Sequence, residues 1–494
     1  MAATSHTGSV AGAPLRPAPR SVRSLLAIDE RPALVQLAAT LPGRCLLFAL
    51  FFALFQLALP WHVSLVVCAG AALCAFVREQ RERVLLGVTF AALLLDPVWH
   101  NDGSFQALLA PYTGTGLFST RNLQRLALPG CFLLWAALLV WVARHPHTLV
   151  ARHPLRCGLA ALASACACAL WLEPGLPWVA LVLGIKISAA YLWFLCYAIV
   201  DQRAAKHPPP SFSLGTFRPF WGSFSAPIGK GASYLARLRC KTPAELAVTQ
   251  LKALKLLAWS FVLMGLSDAL RRGSAALQLP SLEQLLEAHA RGAHTSVAAG
   301  WLALIVATAL AALELAAWGH RCVAAARLAG FKLRRNTVRP LAARSLADFW
   351  NRYYFYFKEL LVDFFFYPTF MRCFKRRPRL RVFFATFVAA GVGNALFHFV
   401  RDIDLLFSLG PRAALSGFGS YVFYCTLLAL GIGISQVRSG DVRTADPSLV
   451  ERAFNALCVW GFIVCLHPFG GIESRTFTWT ERLSFMAHQL GVSP

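Results

Sequence analysis

Long apolar segments recur along most of this 494-residue chain. A helix needs roughly 20 apolar residues to cross the hydrocarbon core of a bilayer. Hydrophobic residues make up 57% of the sequence and charged residues 14%, against about 25% charged in soluble proteins. The pattern predicts an all-α polytopic membrane protein with about eleven spans. They are expected near 45–59, 61–77, 84–98, 126–143, 157–172, 177–200, 248–270, 298–318, 381–400, 412–436 and 453–468. The first three are short, so one or two of them are expected to be half-spans or re-entrant.

Basic residues are concentrated on alternate connections between these segments. The N-terminal tail and the connections after the second, fourth and sixth spans are rich in Arg and Lys, whereas 60–62 and 173–175 carry none. The positive-inside rule then predicts a cytoplasmic N-terminus. We expect a basic cytoplasmic tail over 1–44, N-terminal spans over 45–200, a cytoplasmic connection over 201–247 and a membrane core over 248–494.

The net charge of +25 does not indicate nucleic-acid binding, because the cations are spread over one membrane side without an aromatic and basic binding module. Membrane lipids with anionic headgroups, and an acidic acyl donor such as a coenzyme A thioester or an acyl carrier protein, are the expected partners. Most of the 14 cysteines lie inside apolar runs and form no CxxC pair or Cys/His ligand set. We therefore predict neither a metal site nor disulfides.

The segment 331–368 combines aromatic residues and charges among apolar segments. Its charged residues Asp348, Arg352, Glu359 and Asp363 are spaced by four, seven and four positions, which would place them on one stripe of a continuous helix. Charge is costly at membrane depth and usually marks an interior path. We expect the segment to be re-entrant or packed inside the bundle. An amphipathic helix lying at the membrane surface is an equal alternative.

Four segments, taken in order, resemble the membrane-bound O-acyltransferase family. They are FRPFWGSFSAPIGKGASYL (217–235), KALKLLAWSFVLMGLSDAL (252–270), the stretch 330–352 and TFVAAGVGNALFHFVRD (386–402). The third is the most specific and matches the family pattern at Gly330, Phe331, Leu333, Asn336, Pro340, Ala343, Ser345, Asp348, Phe349, Trp350 and Arg352. The resemblance covers roughly residues 210–405. It is greatest to the bacterial branch, which includes alginate O-acetylases and teichoic-acid D-alanyl transferases.

The chain departs from the family pattern at several positions. Tyr353 and Tyr354 stand where the family usually has Trp-His, and Asn394 stands where its catalytic histidine is expected. The nearest histidine is His398, one turn later on the same helical face.

The residues around His398 suggest a catalytic role independently of the family. Burial in an apolar run favours a neutral imidazole, which can take the proton of a hydroxyl and pass it to a leaving thiolate. Asp402, four residues later, could orient the ring, and Asn394, four residues earlier, could bind the acceptor hydroxyl or an oxyanion. The alternative is a structural histidine that is hydrogen-bonded between helices.

The resemblance implies a helical bundle around an inner funnel, in the inner membrane of a bacterium. It implies transfer of a short acyl group, most simply acetyl, from a cytoplasmic thioester to a hydroxyl of a glycan or lipid, without a permanently bound cofactor. Partner proteins of a polysaccharide-modification system are also expected. An inactive scaffold and a transporter or flippase are the alternatives. The expected substrate-binding residues are Asn336, Asp348, Trp350, Asn351, Arg352, Tyr354, Lys358, Glu359, Asp363 and Arg401.

Overall fold

The computed structural model describes residues 27–95, 103–204, 206–217, 219–222, 226–439, 448–470 and 477–492. Residues 1–26 of the predicted basic tail (1–44) lie outside the described residues. The described residues form helices and no strand, with one isolated antiparallel bridge between Arg239 and Phe331. The protein is thus helical, as predicted.

The N-terminal half contains eleven α-helices. They are α1 (Pro32–Ala39), α2 (Leu41–Gln56), α3 (Trp61–Phe76), α4 (Arg81–Leu95), α5 (Gly103–Leu109), α6 (Thr120–Arg144), α7 (Leu149–Arg152), α8 (Pro154–Trp171), α9 (Leu176–Gln202), α10 (Pro210–Gly215) and α11 (Ala232–Arg237). Short 3₁₀ turns lie at Ile28–Glu30, Arg78–Gln80, Ala110–Tyr112 and Gly116–Phe118.

The C-terminal half contains twelve more. They are α12 (Pro243–Ala276), α13 (Leu282–Ala290), α14 (Val297–Leu328), α15 (Leu346–Tyr353), α16 (Phe355–Leu361), α17 (Tyr367–Arg372), α18 (Pro378–Phe387), α19 (Asn394–Arg401), α20 (Leu405–Ser408), α21 (Pro411–Ser439), α22 (Leu449–Gly470) and α23 (Trp479–Gln489). A 3₁₀ turn lies at Pro340–Ala342, and π-helical segments at Val362–Phe366 and Val388–Gly393.

Eight helices or continuous helical segments in the described part of the chain are long and apolar enough to cross a membrane, or ten if each of two bent pairs counts as one span. This is a multi-pass membrane protein. Its eight to ten spans are fewer than the eleven segments predicted, of which one or two were expected to be half-spans or re-entrant. The three short N-terminal segments belong to the bent pairs, α1 with α2 at 94° and α3 with α4 at 112°. The first bend has a local cause, because the Thr40 hydroxyl caps α2 by accepting a hydrogen bond from the Gly43 amide (3.1 Å).

The middle of the polar segment 349–370 packs inside the bundle, with Phe357, Leu360 and Leu361 buried in a cluster that also contains residues of α9 and α19. Towards its end Tyr367 is 54% exposed. The segment is not one continuous helix. Backbone angles of φ −138° and ψ 77° at Tyr354 separate α15 from α16. The predicted single stripe is therefore wrong, and the pair Asp348 and Arg352 belongs to a different helix from Glu359.

Candidate functional site

A π-helical segment leads into the helix that carries His398. Two glycines let this region pack closely against its neighbours: a Cβ added at Gly393 would lie 2.8 Å from the Phe365 ring, and one at Gly391 would lie 3.2 Å from Ala429. Such π-segments occur often at functional sites. The packing fixes the π-segment Val388–Gly393, which leads into α19, against α21 and the π-segment Val362–Phe366.

One face of α19 forms part of the wall of a cavity of about 1130 Å³. The cavity extends from the facing ends of α12 and α13, along α14, to α19, α21 and α22. Its polar wall residues include Arg271, Glu314, Asn394, His398, Arg401 and Tyr421. A volume of this size would accommodate a drug-sized molecule.

His398 is held in this wall by aromatic rings. Its imidazole stacks on Tyr421, with ring centroids 4.7 Å apart and planes 23° apart. The rings of Phe397 and Phe357 lie edge-on to it at 5.7 and 6.5 Å. The Nδ1 atom is buried and has no hydrogen-bond partner among the described residues. The histidine is therefore not tied between helices through Nδ1, as the structural alternative would have it.

Two other buried polar atoms on the cavity wall also lack a partner within the described chain. They are Oδ1 of Asn394, a residue only 2% exposed, and the indole Nε1 of Trp460. A buried polar group without a hydrogen bond costs about 1–3 kcal/mol. Three such atoms belong to residues of one cavity wall, so this wall has hydrogen-bonding capacity that the described chain leaves unused.

The carboxylate of Asp402 binds Arg401. Arg401 Nε donates to Oδ1 at 3.0 Å and Nη2 to Oδ2 at 2.7 Å, and Nη2 also donates to the Tyr421 hydroxyl at 3.0 Å. The predicted bond from His398 Nδ1 to Asp402 is thus not formed, because the guanidinium fork matches both carboxylate oxygens. Arg401 is still 37% exposed along its side chain, because it faces the cavity.

Two further predicted substrate-binding residues, Trp350 and Tyr354, lie on the cavity wall. Asn351 between them is exposed and points elsewhere. Asn336 is fully buried: its carbonyl oxygen accepts from Phe355 N (2.9 Å) and its Oδ1 from Tyr356 N (3.3 Å). It therefore supports the break between α15 and α16.

Asp348 and Arg352 form a half-exposed pair on α15. Arg352 Nε lies 2.6 Å from Asp348 Oδ1, and the side chains are 32% and 28% exposed. Neither residue is among those that line the cavity. The predicted substrate contacts of this pair find no support in its position.

The remaining predicted residues, Lys358, Glu359 and Asp363, gather around Lys230. Lys230 Nζ lies 2.7 Å from Glu359 Oε2 and 2.9 Å from Asp363 Oδ2, and Lys358 Nζ lies 2.7 Å from Glu359 Oε1. Burial acts to lower the pKa of Lys230, but hydrogen bonds and charges from both carboxylates outweigh it and the pKa is raised. These four residues, which we call the Lys230 cluster, do not line the cavity.

Several residues of the cavity wall, including Tyr421 and Trp460, were not predicted from the sequence. Both lie in apolar runs that are typical of ordinary spans, so no local signal marks them. His467, near the end of the last predicted span, also lines the cavity. His320 does not line it and is only 8% exposed, with a buried Nδ1 that has no partner in the described structure.

No three His, Cys, Asp or Glu side chains in the described part of the chain are arranged to hold a metal ion. A comparison with models of known protein families finds no match, and a comparison with curated proteins finds no similar sequence. Family membership therefore stays a prediction from the quoted motifs.

Proposed function

We propose that this protein is a membrane-embedded O-acyltransferase. It moves a short acyl group, most simply acetyl, from an acyl-CoA or acyl carrier protein to a hydroxyl of a glycan or lipid. The observation that supports this most is the position of His398 on the wall of a large cavity, beside buried polar atoms that lack a partner in the described part of the chain. The four motifs that resemble the O-acyltransferase family, and the family's inner funnel, agree with such a cavity.

The proposed reaction uses the Nε2 atom of His398, since Nδ1 is buried. Nε2 takes the proton of the acceptor hydroxyl, whose oxygen attacks the thioester carbonyl carbon. The negative charge that develops on the carbonyl oxygen is stabilised by the Arg401 guanidinium and the Asn394 amide N–H. When the intermediate collapses, the carbon–sulfur bond breaks and the imidazolium returns the proton to the thiolate. Tyr421 keeps the imidazole plane in place through its stacking contact.

The proposal includes an inner-membrane location with a cytoplasmic N-terminus and partner proteins that modify a polysaccharide. The basic connections predicted on one membrane side support this orientation. The thioester would then approach from the basic side and the acceptor from the other.

A second candidate is a related scaffold without catalysis. The observation that favours it is Asn394, which stands where the family pattern has its histidine and leaves a carbonyl oxygen unpartnered. A scaffold needs no base at His398, so the two candidates differ in the effect of removing this side chain.

The test is an assay of the purified protein with radiolabelled acetyl-CoA, longer acyl-CoAs and acyl carrier protein, using membrane glycans and lipids as acceptors. His398→Ala should lower turnover by about 10²–10⁴. His320→Ala is the matched control, because that imidazole is also buried with an unpartnered Nδ1 but does not line the cavity. Full activity in His398→Ala would contradict the proposed base. No product with any donor would favour the scaffold.

A further inference from the structure

The Lys230 cluster is built around a loop with an unusual backbone. Lys230 has φ +53° and follows Gly229 with φ +100°, a region that residues with side chains rarely occupy. The loop packs closely against α9, since a Cβ on Gly231 would lie 2.4 Å from Asp201 Oδ2. Asp201 Oδ2 accepts a hydrogen bond from Ser233 N at 3.0 Å. Strained conformations persist where the surroundings enforce them, and often where position matters for function.

Helix α16 connects this cluster to the cavity. Phe357 lies on the cavity wall, 4.6 Å from the Phe397 ring and 6.5 Å from the His398 ring between centroids. Glu359 is two residues further on, about 200° around the helix, and reaches Lys230 on the opposite face. Asp363, in the π-segment that follows α16, binds the same ammonium group and accepts a hydrogen bond from the Tyr197 hydroxyl at 2.8 Å.

We propose that Lys230 is a positioning residue for the transferase site: by holding Glu359 and Asp363 together it sets the place of α16, and through Phe357 the place of the His398 imidazole. This inference rests on the proposed function. The positioning role would account for two observations together. Lys358, Glu359 and Asp363 are charged residues in an apolar segment, which predicted substrate contacts, and yet they do not line the cavity.

The electrostatics give the expected consequence of losing the ammonium group. Glu359 and Asp363 would remain as two half-buried carboxylates one turn apart, with side chains 21% and 29% exposed. Like charges this close repel, and among the described ion pairs Lys358 binds Glu359. The helix and the π-segment should then shift apart, and Phe357 should move relative to His398.

The first variant is Lys230→Met, which keeps most of the length of the side chain and removes its charge. The readout is the imidazole NMR resonance of His398 in detergent micelles, assigned by its loss in His398→Ala. We expect this resonance to move and turnover to fall on the order of 10- to 100-fold, as for a small misplacement of a reacting group. Lys230→Arg should restore both in large part, because it keeps the charge.

Lys255→Met is the matched control. Lys255 Nζ on α12 binds Asp29 Oδ1 in the turn Ile28–Glu30 at 2.6 Å, and the two side chains are 18% and 5% exposed. Neither residue lines the cavity. Lys255→Met should lower the melting temperature as Lys230→Met does, while the His398 resonance and turnover stay unchanged.

A third variant, Lys230→Met/Glu359→Gln/Asp363→Asn, removes the repulsion together with the cation. It should return the His398 resonance towards that of the wild type, and it keeps the test open if the single variant does not fold. An unchanged His398 resonance in folded Lys230→Met would overturn the positioning role. Absence of transferase activity in the wild type would refute the proposed function, yet the resonance would still decide whether Lys230 positions His398.

Discussion

The Lys230 cluster and the polar residues of the cavity wall differ in whether their side chains find partners within the protein. In the Lys230 cluster every charged side chain contacts one of opposite charge within 3 Å. In the cavity, polar atoms of His398, Asn394 and Trp460 are buried without a partner in the described chain. The charges of the Lys230 cluster neutralise one another, whereas the cavity residues keep hydrogen-bonding capacity that the described chain does not use.

The difference shows that the number of charges is a poor guide to a ligand site in a membrane protein. Self-paired charges stabilise one arrangement of helices. Unpartnered buried polar atoms cost free energy, and a rearrangement that brings them into contact with a ligand or water recovers it. The following substitutions test whether the two groups behave in these different ways, beginning with the largest expected effect.

Arg401→Met should affect stability most, because Arg401 binds both oxygens of the nearly buried Asp402. Removing one partner of a buried ion pair typically costs about 3–5 kcal/mol. We expect about 3 kcal/mol, the lower end, because Arg401 faces the cavity. Thermal unfolding in detergent measures the change. Arg412→Met, at the exposed start of α21, should leave the melting temperature unchanged. A stable Arg401→Met protein would mean that this pair does not hold the wall together.

Asn394→Ala should separate activity from stability. Its Oδ1 has no partner to lose among the residues that the structure describes, so the melting temperature should change little. If its amide N–H stabilises the oxyanion, turnover should fall by about 10². Both quantities are measured on the same preparation, with Asn351→Ala at an exposed position as the control. Unchanged turnover would remove Asn394 from the mechanism, while a large loss of stability would show that the residue is structural.

The fold was predictable to the extent that long apolar runs must be helical in a membrane. Each of the eight long spans coincides with a predicted one, since a backbone in lipid must satisfy its own hydrogen bonds. The errors arose where tertiary contacts override local pattern. Asn336, eighteen positions before Tyr354, binds the backbone of Phe355 and Tyr356 beyond the break. Nothing in the spacing of Asp348, Arg352 and Glu359 reveals that break.

The candidate site was predictable only along α19 and part of α15. His398, Asn394 and Arg401 share a face because they are spaced by four and three residues, and the structure places all three on the cavity wall. Asp402 binds Arg401 and not the Nδ1 atom of His398. Helical spacing shows which residues are neighbours, but it does not show which neighbour forms the hydrogen bond. Tyr421 could not be found, since it reaches His398 from another helix.

Tyr421→Phe should have a smaller effect than either substitution above. Phenylalanine keeps the stacking on His398 but loses the hydroxyl that accepts from Arg401 at 3.0 Å. A hydrogen bond to a charged group is worth about 1.5–3 kcal/mol, and the expected loss is about 1.5 kcal/mol because Asp402 still holds the guanidinium. Tyr424→Phe, on the same helix and cavity wall, is the control in thermal unfolding. Equal effects of the two changes would show that the Tyr421 hydroxyl contributes nothing specific.

Arg352→Gln should have the smallest effect and tests the boundary of the site. The Arg352–Asp348 pair is about one-third exposed and spaced i, i+4, and such pairs contribute about 0.3–0.5 kcal/mol. Because neither side chain lines the cavity, turnover should stay within twofold of the wild type, or about 0.4 kcal/mol. Turnover and the melting temperature are to be measured beside Lys230→Met, since both residues lie in segments that resemble motifs of the O-acyltransferase family. If Arg352→Gln lost tenfold or more in turnover at unchanged stability, α15 would belong to the reacting site. The contrast between self-paired charges and unpartnered cavity groups would then not mark where the chemistry occurs.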